Sequence, residues 1–151
     1  PWPQMRVPPS GEVLAAAPYW RFHALGVERR RADVLRLAGA RAGWLEGCAT
    51  MPMEDASARL RSLPGVGPWT AAQVLLNALG FADAVVVGDY NLPHLVTWAL
   101  ARERRGDDAR MLELLAPYAG HRARVQRLLV LGHTGPPRRA PHMAIRDFAG
   151  Y

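Results

Sequence analysis

Leu63-Pro64-Gly65-Val66-Gly67-Pro68-Trp69-Thr70-Ala71 ends one helix and begins another within a few residues. Gly65 and Gly67 bracket Val66, and glycine admits both a positive φ and the close approach of another backbone. Pro68 would occupy the first position of the following helix, and Gly80 would lie just past its end near Leu79. The pattern predicts a tight glycine hairpin between two helices. Twenty residues after Trp69 a lone acid follows, in Val87-Gly88-Asp89-Tyr90, with Pro93 marking the first turn of the next helix. Both features have ordinary readings too. Pro-Gly and Val-Gly turns occur at many helix corners, and Asp is a favoured helix cap.

Outward from the hairpin the chain reads as helix after helix. Ser10 can cap a short helix reaching about Ala17, interrupted at Pro18. A long helix is expected from about Val27 to Leu45, with Val34, Ala38, Ala42 and Leu45 on one stripe. Others follow at about Met53–Leu60, from Pro93 to about Ala101, from the Gly106-Asp107-Asp108 start to about Leu115, and at about Gly120–Leu131. Ala84–Val87 is an apolar connector too isolated to join a sheet. The expected fold class is all-α, with a proline-rich linker over 1–9, a helical domain over 10–134 and an irregular basic tail over 135–151.

Composition narrows the function. The 151 residues are half hydrophobic, enough for one domain with a core. Nineteen basic residues against 13 acidic ones give +6, a balance suited to a polyanion. All the basic residues are Arg, a bias that GC-rich coding produces by itself. The single Cys48 excludes internal disulfides and a cysteine-ligated iron–sulfur cluster. No apolar run approaches the roughly 20 residues of a membrane span. No pair of His, Cys or acids has transition-metal spacing, and no Walker or Rossmann pattern occurs.

The hairpin offers unpaired N–H groups at a helix N-terminus, which suits a phosphate. Its predicted donors are the amides of Gly65, Gly67 and Thr70. Arg122, near His121 and Arg124 at the start of the last helix, is a further candidate for DNA phosphate. Such contacts position a protein without reading sequence. Asp89 is the only acid between Asp83 and Glu103. Together with the hairpin it suggests chemistry on a nucleotide held beside a gripped backbone. On stripe logic, Trp69 with Ala72, Leu76 and Leu79 is core.

The LPGVGPWTA string followed by Asp89-Tyr90 resembles the helix-hairpin-helix DNA glycosylase superfamily, within it the 3-methyladenine DNA glycosylase II branch. The Leu25–Ala32 segment is similar to the one entering that family's preceding helix, and the likeness spans roughly residues 12–131. It implies Asp89 as catalytic residue, stabilising the positive charge that develops on the sugar as an N-glycosidic bond breaks and aligning the attacking water. It implies Trp69, Gln73 and Tyr90 as substrate-binding positions, with a cationic base attracted to the Trp69 indole face. Gln73 departs from the family's pattern, which has an aromatic there. It also implies a monovalent cation, Na+ or K+, on the carbonyls of Arg61, Leu63 and Val66, with no other cofactor required. Bifunctional relatives use a lysine at the place of Trp69. This chain has no lysine, so the expected enzyme is monofunctional, releasing alkylated purines such as 3-methyladenine and 7-methylguanine in base excision repair. The expected partner is double-stranded DNA carrying a damaged base, bound by a monomer in a bacterial cytoplasm at the nucleoid, with no membrane. The matched region corresponds to the C-terminal half to two-thirds of such enzymes, so the chain is expected to be N-terminally truncated. Two other classes stay open: a non-catalytic helix-hairpin-helix module or inactive remnant that only binds the DNA backbone, and a helical bundle binding RNA or protein.

Overall fold

The computed structural model describes residues 6–132 and 135–136, and all regular structure among them is helical. Residues 6–10 carry no regular structure; the basic tail lies outside the described residues except for Gly135 and Pro136. The chain runs through α1 (Gly11–Ala16), α2 (Tyr19–His23), α3 (Arg29–Ala40), α4 (Ala42–Glu46), a 3-10 turn at Gly47–Thr50, α5 (Met53–Arg61) and α6 (Pro68–Asn77). Then come α7 (Leu92–Ala101), α8 (Asp108–Leu115), a 3-10 turn at Ala116–Tyr118 and α9 (Arg122–Leu131).

The helix boundaries follow local chemistry. The Ser10 hydroxyl accepts from the Val13 amide at 3.3 Å, and Asp107 accepts from the Arg110 amide at 2.8 Å, each satisfying a donor left free at a helix start. Gly80, at φ +73°, lets the Phe81 amide reach back to the Leu75 carbonyl at 2.9 Å and so closes α6. Gly120, at φ +87°, precedes a non-helical His121, which is why the last helix starts at Arg122 rather than at Gly120.

The long helix expected over 27–45 is two helices. Arg41, at φ −113° and ψ 20°, turns the chain between α3 and α4. A Cβ on Gly39 would collide with the Gly11 carbonyl oxygen, so α1 crosses the end of α3 at backbone contact. Beyond the break, Arg59 of α5 donates to the Trp44 carbonyl at 2.8 Å and lays its guanidinium 4.9 Å from the Trp44 ring centre. The apolar stripe continues across Arg41, so the pattern alone gave no sign of the turn.

Two cores support the site. Cys48, Ala56, Leu60, Ala71, Leu75 and Ala84 form one, chiefly between α5 and α6. Val96, Met111 and Leu115 form the other, where α7, α8 and α9 meet, with Val85, Val87 and Leu129 packed against it. Each fully buried aliphatic side chain contributes about 1.5–3 kcal/mol. The segment between α6 and α7 joins the two cores and has no helix of its own. Side chains from the last two helices supply its hydrogen bonds instead. Gln126, 2% exposed, accepts from the Val86 amide at 2.9 Å and donates to the Val86 carbonyl at 3.0 Å. Asp108 accepts from the Gly88 amide at 2.8 Å. Asp83 pairs with Arg122 through both carboxylate oxygens, and the Arg122 amide also donates to it at 3.0 Å.

The Arg122 guanidinium is the main reason the Asp83 carboxyl is held down at about 2; partial burial opposes it, and the Arg122 amide adds to it. A carboxyl depressed on folding gives stability that is full above its unfolded value, near 4, and lost as pH falls through the folded one. Asp83→Asn should therefore cost about 1–2 kcal/mol at neutral pH, by urea denaturation. The gap from the unmodified chain should narrow as pH falls from 4 toward 2.

Candidate functional site

The hairpin takes the form its glycines predicted. Gly65 stands at φ +90°, and a Cβ there would come within 2.5 Å of Val34 Cγ2 on α3. Any side chain would thus face both backbone strain and a packed neighbour. Gly67 precedes α6 without a side-chain cap, and Pro68 fills the first helical position. The amides of Gly65, Gly67 and Thr70 donate to no acceptor among the described residues, whereas the Val66 amide closes the turn onto the Leu63 carbonyl at 3.0 Å. Three free donors at the positive end of a ten-residue helix are suited to an anion.

Asp89 lies just ahead of α7. Its Oδ1 accepts from the Asn91 amide at 2.8 Å and the Leu92 amide at 3.0 Å, so it does cap the helix start. Its Oδ2 accepts from the Trp69 indole N–H at 3.0 Å. Partial burial, the largest single influence, pushes the carboxyl upward; the donors from Leu92, Asn91 and Trp69 together outweigh it. The carboxyl is therefore held below its ordinary value and is ionised at neutral pH. One constellation thus fixes the charge, the rotamer and the orientation of a carboxylate.

Beside it opens a cavity of about 430 Å³, walled by Asp89 and Gln73 with Leu76, Val86, Leu92 and Leu95, and by Arg127, Val130 and Leu131 of α9. The volume falls within the range of small-molecule sites, and most of its wall is apolar. Gln73 and Asp89 are thus brought together on one wall, and Trp69 joins them only through its bond to Asp89, outside the lining residues. Trp69 is 43% exposed and is not core; its indole nitrogen is committed to Asp89. Tyr90 is 86% exposed and sits edge-on to His94 at 6.1 Å, outside the cavity wall. Arg122 is not a free cation, since Asp83 engages its guanidinium.

Several residues at the site had not been singled out. Asn77 donates to both the carbonyl and the side-chain oxygen of Gln73, each at 2.9 Å, and Arg127 donates to Asn77 at 2.6 Å. The four-residue spacing of Gln73 and Asn77 on one helix was readable. The link to Arg127, fifty residues on, was not.

No group of three or more His, Cys, Asp or Glu that could hold a metal ion occurs among the described residues. None of the described helices is long and apolar enough to cross a membrane. No protein-family model matches the chain, and no solved structure matches it. Over 68 residues, 45% of its length, the chain is 32% identical to a protein of Bacillus subtilis (strain 168) named DNA-3-methyladenine glycosylase, of which it covers 22%. The chain is thus similar to part of a DNA glycosylase and spans about a fifth of that relative's length.

Proposed function

We propose that this chain is a monofunctional DNA glycosylase domain that hydrolyses the N-glycosidic bond of alkylated purines in duplex DNA, with Asp89 as its catalytic carboxylate. The observation that carries the reading is the Asp89 constellation: an ionised carboxylate, oriented by three donors, at the wall of a cavity large enough for a purine. The partial likeness to a DNA-3-methyladenine glycosylase supports it.

In this reading the amides of Gly65, Gly67 and Thr70 hold a backbone phosphate, and the extruded base enters the cavity beside Gln73. As the bond from C1′ to the base nitrogen breaks, the base leaves with the electron pair and the sugar becomes cationic. The Asp89 carboxylate faces that charge in a partly desolvated setting, where electrostatic stabilisation is stronger than in water. A water adds to C1′ and loses its proton to the carboxylate or to solvent, leaving an abasic site. An N-alkylated purine is already cationic and becomes neutral on leaving, so a strong general acid is not needed. The chain contains no lysine, so lyase chemistry through a lysine Schiff base has no nucleophile here.

The hairpin carbonyls are compatible with a monovalent cation. Those of Arg61 and Val66 accept no backbone hydrogen bond outside the helices, Leu63 accepts one from Val66 and keeps a second lone pair, and the C-terminus of α5 brings partial negative charge. These three carbonyls would hold the ion, which would brace the hairpin against the DNA backbone. Arg122 would have to share its guanidinium with Asp83 to touch a phosphate.

The competing reading, a module that only binds DNA, draws on the work Asp89 already does as a cap. Asp89→Asn separates the two, because asparagine keeps an oxygen for the Asn91 and Leu92 amides but loses the charge. Release of 3-methyladenine and 7-methylguanine from methylated duplex DNA should fall about 100-fold or more. Duplex affinity should stay close to the unmodified chain's, and stability should fall only by the one hydrogen bond from Trp69, about 1 kcal/mol. Release that persists undiminished in Asp89→Asn would remove Asp89 from the chemistry. Trp69→Phe deletes one of the donors that lower the Asp89 carboxyl. The acid limb of the pH–rate profile, which should lie below the ordinary aspartate range, should then move to higher pH.

A further inference from the structure

We infer that Gln73 is the specificity-determining residue of the cavity, presenting hydrogen-bond donors that select purines with a carbonyl at position 6 over those with an amino group there. This rests on the glycosylase reading and names the substrate class within it. The Arg127 guanidinium can only donate. Its Nη1 lies 2.6 Å from the Asn77 side chain, so the atom facing it is the Asn77 oxygen. The Asn77 nitrogen then faces α6, where it donates to the Gln73 main-chain carbonyl at 2.9 Å. That acceptor is beyond dispute and confirms the orientation. The same nitrogen lies 2.9 Å from the Gln73 side-chain amide, which must therefore turn its oxygen toward Asn77. The remaining end of Gln73 is its NH2 group, with no hydrogen-bond partner among the described residues, on a residue that lines the cavity beside Asp89.

A glutamine left alone could rotate its amide and offer either a donor or an acceptor. This one is locked as a donor by a chain of bonds that starts at a permanent cation. Guanine-type bases carry an acceptor oxygen at position 6, whereas adenine-type bases carry an NH2 group there. The first completes the chain; the second sets donor against donor. 7-Methylguanine and 3-methyladenine are both cationic as nucleosides in DNA, so comparing them cancels the charge. Their other differences, the methyl position and the 2-amino group, are common to every variant and leave the change of ratio on altering Gln73 as the readout.

One digest of methylated duplex DNA yields both bases, and their release ratio is internal to each reaction. Relative to the unmodified chain, Gln73→Leu should lower the ratio of 7-methylguanine to 3-methyladenine about tenfold, the worth of one hydrogen bond. Gln73→Glu, which replaces donors by acceptors at nearly the same shape, should lower it further. Arg127→Leu, which leaves Gln73 in place but frees Asn77 to rotate, should lower it part of the way. In the Gln73→Leu background, where there is no amide left to orient, Arg127→Leu should lower it no further. A ratio unchanged in both Gln73 variants, with both bases still released, overturns the inference and leaves the glycosylase reading standing. Release of neither base by the unmodified chain overturns both.

Discussion

The Gln126 side chain closing on both backbone groups of Val86 is the contact on which the site's geometry depends. Between α6 and α7 the chain has no helix and no strand partner among the described residues, yet it passes through the interior, with Ala84 and Val86 buried. A buried backbone must still satisfy its N–H and C=O groups. Gln126 does this for Val86 as a neighbouring strand would, with one donor and one acceptor. Leaving either group unpaired would cost about 1–3 kcal/mol. Asp108 treats the Gly88 amide likewise, immediately before Asp89. The main chain of Ala82 is tied to α9 as well, its carbonyl accepting from the Ala123 and Arg124 amides. A segment without regular structure is thus held from the side by two helices that follow it in sequence.

That arrangement explains what could be read from the sequence and what could not. The hairpin, the helix after it and the Asp89–α7 junction were legible because their signals are local: glycines where φ is positive or a backbone approaches, prolines at helix starts, an acid beside a cap. The all-helical class was legible from periodicity. The pairs that fix the connector were not, because Asp83–Arg122 and Val86–Gln126 close over loops of about forty residues, and no periodicity marks them. Arg122 illustrates the consequence. Read along its own helix it is an exposed cation suited to phosphate; in the fold its partner is an aspartate from the far side of the connector. The turn at Arg41 was hidden for another reason, since the demand for it comes from α1 crossing at Gly39.

Trp69 shows how a single residue can depart from two opposed readings at once. As the second residue of α6 its main chain lies between the free amides of Gly67 and Thr70, while its indole N–H reaches the Asp89 carboxylate. The apolar stripe on α6 assigned it to the core, and the resemblance assigned it to the pocket wall. The structure puts it in neither, half exposed and off the cavity wall, spending its one polar atom on the carboxylate. A buried Trp would ordinarily seek some acceptor for that N–H. Here the acceptor is the Asp89 carboxylate.

On the glycosylase reading this coupling has a mechanical consequence. A phosphate held at the start of α6 and a carboxylate held by Trp69 are then fixed to the same first turn of one helix, so their separation hardly varies. A duplex gripped by its backbone is brought to a set distance from the charge that stabilises the sugar cation. Reactions that depend on such alignment lose rate steeply when the reacting groups are displaced by about 1 Å. The rigidity that α8 and α9 impose on the connector therefore serves the same end as the glycine strain in the hairpin. Each fixes one of the two points between which the damaged nucleotide must be held.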